Sequence, residues 1–272
     1  MMRPGGDKAS KTAPPGTPPN NPFSALLERT ETMNDIALPS NRRLYLDIET
    51  IPTQDPKTYA EIAGRISPPA SMKKAETIKK WEEEQKPQAV ADAIAKTSFD
   101  GAAGHICCIG WALDGEHLDS LSLGPDIALE HEMLTTFFEE ISCQLPRYGT
   151  IQIVGHNVIG FDLRFIWQRC LILGVRVPGW FPRDPKPWSD DVFDTMTAFV
   201  GSRAKKDDSI SMDRLCGAFG LEGKGDIDGS QVAGLWSDGE HETIAAYCRD
   251  DVEKTRALHR KMMVALGETE AA

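Results

Sequence analysis

Two carboxylates stand two positions apart in the segment Arg43-Leu-Tyr-Leu-Asp-Ile-Glu-Thr-Ile, which alternates apolar residues with Tyr45, Asp47 and Glu49. This alternation predicts a β-strand, in which residues i and i+2 project from the same face about 6–7 Å apart. Like charges on a buried strand need a cation between them, or one of them must stay protonated. An edge strand with its acidic face in water is the alternative interpretation, and the pair alone leaves both open.

A third carboxylate, Asp162, lies at the start of a predicted helix, after a strand and the segment Asn157-Val-Ile-Gly-Phe. Aspartate is a favoured N-cap residue, so helix capping is one explanation of its position. Open α/β sheets, however, collect their ligands at the ends of strands. Because Asp47 and Glu49 also lie near the end of their strand, Asp162 is a candidate for the same site.

The fourth carboxylate, Asp251, lies on the last predicted helix in the segment Tyr247-Cys-Arg-Asp-Asp. Steps of three or four residues define one face of this helix, and this stripe consists of Ile244, Cys248, Asp251, Thr255, Leu258, Met262 and Leu266. Tyr247 precedes Asp251 by four residues and is therefore its neighbour on the helix surface. A tyrosine hydroxyl bonded to Asp251 in the core is the structural alternative. Asp250 points about 100° away from the stripe.

The order of these motifs, Asp-x-Glu, then Asp at a helix start, then Tyr-x-x-x-Asp, resembles that of the DEDD superfamily of 3′–5′ exonucleases, in its tyrosine subgroup. The sequence looks most like stand-alone relatives of the proofreading domain of family B DNA polymerases, in the segments LYLDIET, GHNVIGFDL and YCRDDVEKT. The resemblance extends over roughly residues 42–266. The histidine subgroup has a His shortly before its last Asp, whereas the nearest upstream His here is the more distant His241.

The resemblance implies a ribonuclease H-like α/β fold, with a mixed five-stranded sheet flanked by helices on both faces. It also implies that two divalent cations, Mg²⁺ or Mn²⁺, are bound by Asp47, Glu49, Asp162 and Asp251. Tyr247 would help to position the attacking water. These hard cations prefer carboxylate oxygens, so no His or Cys ligand is required. Two such cations can activate water and stabilise the leaving oxygen of a phosphodiester.

The implied activity is 3′–5′ exonucleolytic hydrolysis of nucleic acid with a free 3′ end, above all single-stranded DNA, with release of nucleoside 5′-monophosphates. Thr50, Asn157 and Phe161 flank the acids and are expected near the terminal nucleotide, where Phe161 either stacks on a base or belongs to the core. The candidates for phosphate contacts are Arg164, Lys205, Lys206 and Lys224. Three alternatives remain open: an exoribonuclease with the same site, a non-catalytic nucleic-acid-binding module, and a metal-dependent endonuclease of the same fold.

The elements that must position these residues follow from the periodicity of the chain. Predicted strands cover residues 43–51, 105–113, 116–123, 150–154 and 191–195, and predicted helices cover 128–145, 162–173, 211–219 and 240–266. The turn signal Asp114-Gly115 joins the second and third strands as a hairpin. Strands followed by helices indicate an α/β layered domain with one antiparallel hairpin.

Two segments stand apart from this pattern. Residues 1–40 form a predicted disordered tail, whose first part is rich in proline and glycine and has almost no large apolar side chain. The exonuclease domain is predicted over 41–268, with a helical insertion at about 53–100 that contains helices over 57–65 and 71–85. This insertion has too few large apolar residues to bury a core of its own.

Composition narrows the class of protein further. The 272 residues carry 30 Lys+Arg and 41 Asp+Glu, a formal net charge of −11, which argues against binding polyanions by bulk charge but suits a site that binds cations. No run of about 18 apolar residues predicts a membrane helix, and the N-terminus does not resemble a secretory signal. Six cysteines without a Cys-x-x-Cys pair predict reduced core thiols in a cytoplasmic protein. A proofreading role would need a replication or repair partner in trans.

Overall fold

The computed structural model describes residues 41–145, 150–203, 208–223, 225 and 227–267. The tail predicted over 1–40 lies outside the described residues, as does the predicted domain end at 268. Three of the candidate phosphate contacts, Lys205, Lys206 and Lys224, also lie outside them.

Five strands form one mixed sheet: β1 (Asn41–Ile51), β2 (His105–Leu113), β3 (Asp119–Ser122), β4 (Thr150–Gly155) and β5 (Val192–Asp194). Their order is β3-β2-β1-β4-β5. The pairs β1–β2 and β2–β3 are antiparallel, whereas β1–β4 and β4–β5 are parallel. The predicted mixed five-stranded sheet is confirmed. Because β1 is its central strand, the interpretation of Asp47 and Glu49 as an edge-strand pair is wrong.

Helices cover both faces of this sheet. In the described ranges they are α1 (Pro56–Arg65), α2 (Ala75–Glu84), α3 (Lys86–Ala95), α4 (Glu130–Cys143), α5 (Asp162–Leu173), α6 (Thr195–Val200), α7 (Met212–Ala218), α8 (Val232–Ser237) and α9 (His241–Ala265). Helices α4 and α5 pack on one face, and α9 crosses the other face over β1, β2, β3 and β4. The ribonuclease H-like fold that the resemblance implied is therefore confirmed. No helix of the described residues combines the length and the apolar character needed to span a membrane.

The alternation of β1 decides which of its side chains lie under α9. Three apolar residues of β1 are buried in the larger core, on the side of α4 and α5: Leu44, Leu46 and Ile48. Tyr45 belongs to a smaller cluster on the opposite side, together with Val252 of α9. Since side chains alternate along a strand, Asp47 and Glu49 share the face of Tyr45, as the sequence predicted.

Gly110 of β2 allows α9 to lie close to the sheet beside Asp47. It is the cross-strand partner of Asp47, and a Cβ added to it would lie only 2.8 Å from Cys248 Sγ. In the structure, Cys248 Sγ lies 3.5 Å from the Asp47 carbonyl oxygen. The missing side chain of Gly110 therefore helps to set the distance between α9 and β1 at the carboxylates.

Helices α1 to α3 and a 3-10 turn over Lys96–Phe99 lie where the insertion was predicted. Two hydrogen bonds attach this segment to the end of β1. Thr50 Oγ1 donates to the Ser98 carbonyl oxygen at 2.8 Å, and the Thr53 N–H donates to Thr97 Oγ1 at 2.9 Å. The insertion therefore lies next to the strand that carries the first two carboxylates.

Several local features differ from the prediction. Helices α3, α6 and α8 were not predicted; α3 follows α2 directly because Pro87 lies in its first turn, where no backbone N–H is needed. Helix α9 ends at Ala265, and Leu266 is 66% exposed, so its place on the buried stripe was wrong. Strand β3 is shorter than the predicted 116–123. All six cysteines are free, but Cys143 is exposed and is not a core thiol.

A Gly110→Ala substitution is expected to destabilise the fold by forcing α9 away from β1. The added methyl group would overlap Cys248 Sγ, and overpacking of this kind lowers the free energy of unfolding by about 1–3 kcal/mol. Chemical denaturation of both proteins measures this change. Gly124→Ala is the matched control, because no described residue beyond its chain neighbours lies within 4 Å of a Cβ at that position. Equal effects of the two substitutions would contradict the packing role of Gly110.

Candidate active site

The carboxylates of β1 face one residue of α9 at close range. One ligand atom each from Asp47, Glu49 and Cys248 lie within 4.8 Å of one another. The Cys248 thiol contacts Asp47 Oδ2 at 3.4 Å. The sequence placed Cys248 on the buried face of the last helix, but only as a core thiol. Its position beside Asp47 comes from the packing of α9 across β1 and β2.

Asp162 reaches β1 from the first turn of α5. The N-cap of α5 is Phe161, so the prediction that Asp162 begins the helix is confirmed but the N-cap alternative is wrong. Its Oδ1 instead accepts the backbone N–H of Ile48 at 3.1 Å. Because Ile48 lies between Asp47 and Glu49 in the chain, this bond fixes the third carboxylate beside the first two.

Asp194 holds the loop that leads into Asp162, and the sequence analysis did not include it among the candidates. This buried side chain accepts the N–H groups of Asn157 and Ile159, each at 3.1 Å, and of Thr197 at 3.0 Å. Asn157 itself has a left-handed backbone, with φ at 58°. The available signal was an Asp at the end of a strand followed three residues later by a helical N–H, which is an N-cap pattern.

The last helix supplies Tyr247 and Asp251 to the same place. The Tyr247 hydroxyl donates a hydrogen bond to the Asp251 carboxylate. The Asp251 side chain is 13% exposed and that of Asp250 is 52% exposed, so the predicted register of this helix is confirmed. Lys254 lies 3.5 Å from Asp251 Oδ1 and also pairs with Asp250. The sequence analysis did not identify Lys254 as a positive charge at this site.

The four carboxylates act on one another electrostatically. Burial raises the pKa of Asp47 well above its ordinary value, and the negative charges of Glu49, Asp162 and Asp251 raise it further. Burial also raises the pKa of Asp162 to about 7, with added contributions from Asp194 and Asp251. The pKa of Asp251 is raised mainly by burial. Without a cation, the cluster therefore holds protons near neutral pH.

The tyrosine of the site is a hydrogen-bond donor and not a base. Burial raises the pKa of Tyr247 above its ordinary value, and the charges of Asp251, Glu49 and Asp47 act in the same direction. The Tyr247 hydroxyl therefore stays protonated at neutral pH. In that state it can donate to Asp251 while its oxygen accepts a further hydrogen bond.

The donor set of this cluster fits hard divalent cations. Carboxylate oxygens suit Mg²⁺ and Mn²⁺, and the raised carboxyl pKa values mean that these oxygens lack sufficient positive charge around them. The neighbouring thiol does not compete with the carboxylates for a metal, because burial raises the pKa of Cys248 well above its usual range and keeps the thiol neutral. Thiolate is the form that binds metals. The residues present are therefore compatible with the predicted cations.

The predicted substrate contacts separate into two groups. Thr50 and Phe161 line one cavity together with Glu49, so the structure brings them to the carboxylates. Asn157 lines a different cavity, on the side of α6 and the residues before α7. Arg164 is exposed on α5. Asn157 therefore does not line the cavity beside Glu49, although it lies close to Asp162 in the sequence.

The chain matches the model of one described protein family. A family model described as "Predicted 3'-5' exonuclease related to the exonuclease domain of PolB" matches residues 102–272, more than half of the chain. The match includes the candidate residues of α5 and α9 but begins after β1 and the insertion. A search of the curated proteins found no match.

Among solved structures, the chain is similar to the family B DNA polymerase from the hyperthermophilic archaeon Pyrobaculum calidifontis. The sequence identity is 21% and the TM-score is 0.49. The similar region covers 83% of this chain and 25% of the polymerase chain, so the chain spans about a quarter of the length of that polymerase.

Divalent cations are expected to stabilise the folded protein more strongly at about pH 8 than at about pH 5.5. The pKa of Asp162 rises from 3.8 to about 7 on folding, so the metal-free fold binds more protons than the unfolded chain. Its stability therefore falls as the pH rises through this window. Cations replace the lost protons, and at 100-fold their Kd they add about 2.7 kcal/mol.

Melting curves in EDTA and in Mn²⁺, at both pH values, measure this effect. Asp47→Asn should abolish the rise in Tm, because it removes one carboxylate of the cluster. Asp250→Asn should preserve it, because Asp250 is half exposed and is not among the acids that raise the pKa of Asp47. A rise of equal size in wild type and Asp47→Asn would contradict cation binding at these carboxylates.

Proposed function

Because the chain belongs to the family of predicted 3′–5′ exonucleases related to the exonuclease domain of PolB, we propose that it hydrolyses phosphodiester bonds at the 3′ end of nucleic acid. The proposed substrate is single-stranded DNA and the proposed products are nucleoside 5′-monophosphates. One observation carries the proposal beyond family membership. The Asp47 carboxylate lies within electrostatic reach of three further carboxylates, from β1, α5 and α9, at one place on the sheet.

Four residues would hold two divalent cations in this proposal: Asp47, Glu49, Asp162 and Asp251. Mg²⁺ or Mn²⁺ bound there would supply water activation and stabilisation of the charge on the leaving oxygen. Asp162 would be held in position by the Ile48 N–H. Without cations, the clustered carboxylates repel a phosphodiester, so binding of the nucleic acid would depend on the cations.

Tyr247 would orient the attacking water. Its hydroxyl stays protonated and donates a hydrogen bond to Asp251, and a hydroxyl oxygen in that state can also accept a hydrogen bond from water. Such a contact fixes the direction of one water lone pair toward the phosphorus. An oriented contact that exists only in the transition state raises the rate of the chemical step without tightening substrate binding.

A time course with end-labelled single strands tests the proposed function. With Mn²⁺ or Mg²⁺, a 5′-labelled DNA strand should shorten stepwise, and a 3′-labelled strand should release its label at once as a mononucleotide. A circular strand should remain intact, since it has no 3′ end. Cleavage of the circle would indicate an endonuclease, faster trimming of a matched RNA would indicate an exoribonuclease, and binding without cleavage would indicate a non-catalytic module.

Asp251→Asn should lower turnover by at least about a thousandfold, since it removes one carboxylate of the proposed cation site, and a barrier increase of about 4 kcal/mol corresponds to such a loss. Asp250→Asn is the matched control, because it makes the same chemical change one residue away at an exposed position. It should retain turnover within a few fold. Single-turnover rates at saturating Mg²⁺ measure both variants. The opposite ranking of the two variants would overturn the assignment of Asp251.

Tyr247→Phe separates a role in water positioning from a structural role. If the hydroxyl orients water, single-turnover rates should fall by roughly ten- to a thousandfold, which corresponds to about 1.4–4 kcal/mol of barrier. The variant should retain residual activity, because all four carboxylates remain. Loss of about 1 kcal/mol of stability at an unchanged cleavage rate would instead show that the hydroxyl only satisfies the Asp251 carboxylate.

A further inference from the structure

A cavity of about 590 Å³ adjoins the carboxylates on the side of the insertion. Its lining includes Glu49 and Thr50 of β1, Lys96 and Phe99 of the 3-10 turn of the insertion, and Phe161, which precedes α5. The cavity therefore opens directly beside one member of the carboxylate cluster. Its volume lies in the range of small-molecule sites and suits one nucleotide better than a folded partner.

Phe99 is the unusual residue of this cavity. It is 66% exposed although it is a large aromatic residue at the end of an ordered turn. Its ring centroid lies 6.1 Å from that of Phe161, and the two ring planes are inclined by 59°. Phe161 also contacts the buried Phe165, so one ring of the pair is anchored in the core. The Phe99 ring is thus available to a planar ligand that enters the cavity.

The position of Phe99 relative to the carboxylates is fixed before any ligand binds. Its neighbour Ser98 accepts a hydrogen bond from Thr50 Oγ1 at 2.8 Å. Thr97 accepts a hydrogen bond from the backbone of Thr53 at 2.9 Å. Both bonds tie the 3-10 turn to the chain that continues from β1. A ligand would therefore not have to order this wall of the cavity, which favours binding.

The chemistry of the cavity favours an uncharged planar ring with a phosphate attached. Aromatic side chains stack on any nucleobase without reading its sequence. Glu49 and Asp92 disfavour a free anion in the cavity in the absence of cations, whereas Lys96 supplies a positive charge on the insertion side. The base of a paired terminus is held against its partner base and cannot enter the cavity to contact both rings. The ligand is therefore an unpaired base.

We propose that Phe99, together with Phe161, forms the pocket for the unpaired 3′-terminal nucleobase. The proposal rests on the proposed exonuclease function, because the carboxylate cluster next to the pocket defines which end of the strand lies there. It assigns a role to the insertion, which lies before the residues that match the family model. Phe99 is a substrate-binding residue in this assignment and takes no part in the chemical step.

The test compares two single strands that differ only at the 3′ terminus, where one carries a base and the other an abasic sugar. Both carry fluorescein at the 5′ end and phosphorothioate terminal linkages, and binding is measured by anisotropy in Ca²⁺. Phe99→Ala should weaken binding of the strand with the base by about 5- to 150-fold, the range for loss of one stacked base. Binding of the abasic strand should not change, and Phe99→Trp should bind the normal strand as wild type does.

Phe199→Ala is the matched control, because Phe199 is also half exposed but lies on α6, outside the lining of this cavity. It should bind both strands as wild type does. An equal loss for both strands, or no loss for either, would overturn the pocket. Melting curves of the full-length variants establish that each is folded, as expected for changes at exposed rings.

The outcomes separate the pocket from the proposed function. If wild type trims the end-labelled single strands in Mg²⁺ or Mn²⁺ but Phe99→Ala has no effect on binding that depends on the base, the pocket is wrong and the exonuclease proposal stands. If wild type cleaves nothing but Phe99→Ala still weakens binding of the strand with the base alone, the pocket stands and the exonuclease proposal falls. If wild type binds neither strand, both are wrong.

Discussion

Mutual repulsion among four clustered carboxylates is the interaction around which this structure is arranged. Asp47 lies where burial and the charges of three other acids all oppose its ionisation. A fold tolerates such a cluster only if its other contacts hold the charged residues in place. The surrounding elements do this with backbone hydrogen bonds and close packing: Ile48 N–H binds Asp162, and Gly110 admits Cys248 beside Asp47.

A second buried acid in the same fold shows how different a structural carboxylate is. Glu130 of α4 is fully buried, yet hydrogen bonds from His105 and Arg169 outweigh the effect of burial and hold its pKa below the ordinary value. Arg169 belongs to α5, so this pair also fixes the helix that carries Asp162. Glu130 has its countercharge within the protein. The described groups that act most strongly on Asp47 include no cation, so the proposed divalent cations would supply its countercharge.

Hydrogen bonds hold the surrounding loop and the insertion in place beside the carboxylates. Asp194 binds three backbone N–H groups and thereby shapes the loop between β4 and α5. The insertion is attached to β1 at Thr50 and Thr53, so it forms a wall of the cavity beside Glu49 although it buries few side chains of its own. The carboxylates, the loop and the insertion therefore meet at the end of one strand, β1.

The sequence by itself determined the features that depend on local periodicity. The alternation of β1 placed Asp47 and Glu49 on one face, and the stripe of α9 separated Asp251 from Asp250. These predictions succeeded because the periods of a strand and a helix fix side-chain direction whatever the partner. The mixed sheet followed from the resemblance, and local reasoning erred mainly where elements were short or ended, as at Leu266.

Only the tertiary structure decided what depends on residues far apart in the chain. It made β1 the central strand, brought Cys248 to Asp47 across 201 positions, gave Asp194 its three donors and placed Phe99 in a cavity that Glu49 also lines. Apart from the N-cap bond between Thr197 and Asp194, these contacts have no local sequence pattern, because each results from the packing of one element on another. The distance between elements depends on small details such as the absent side chain of Gly110, and these act only once the chain is folded.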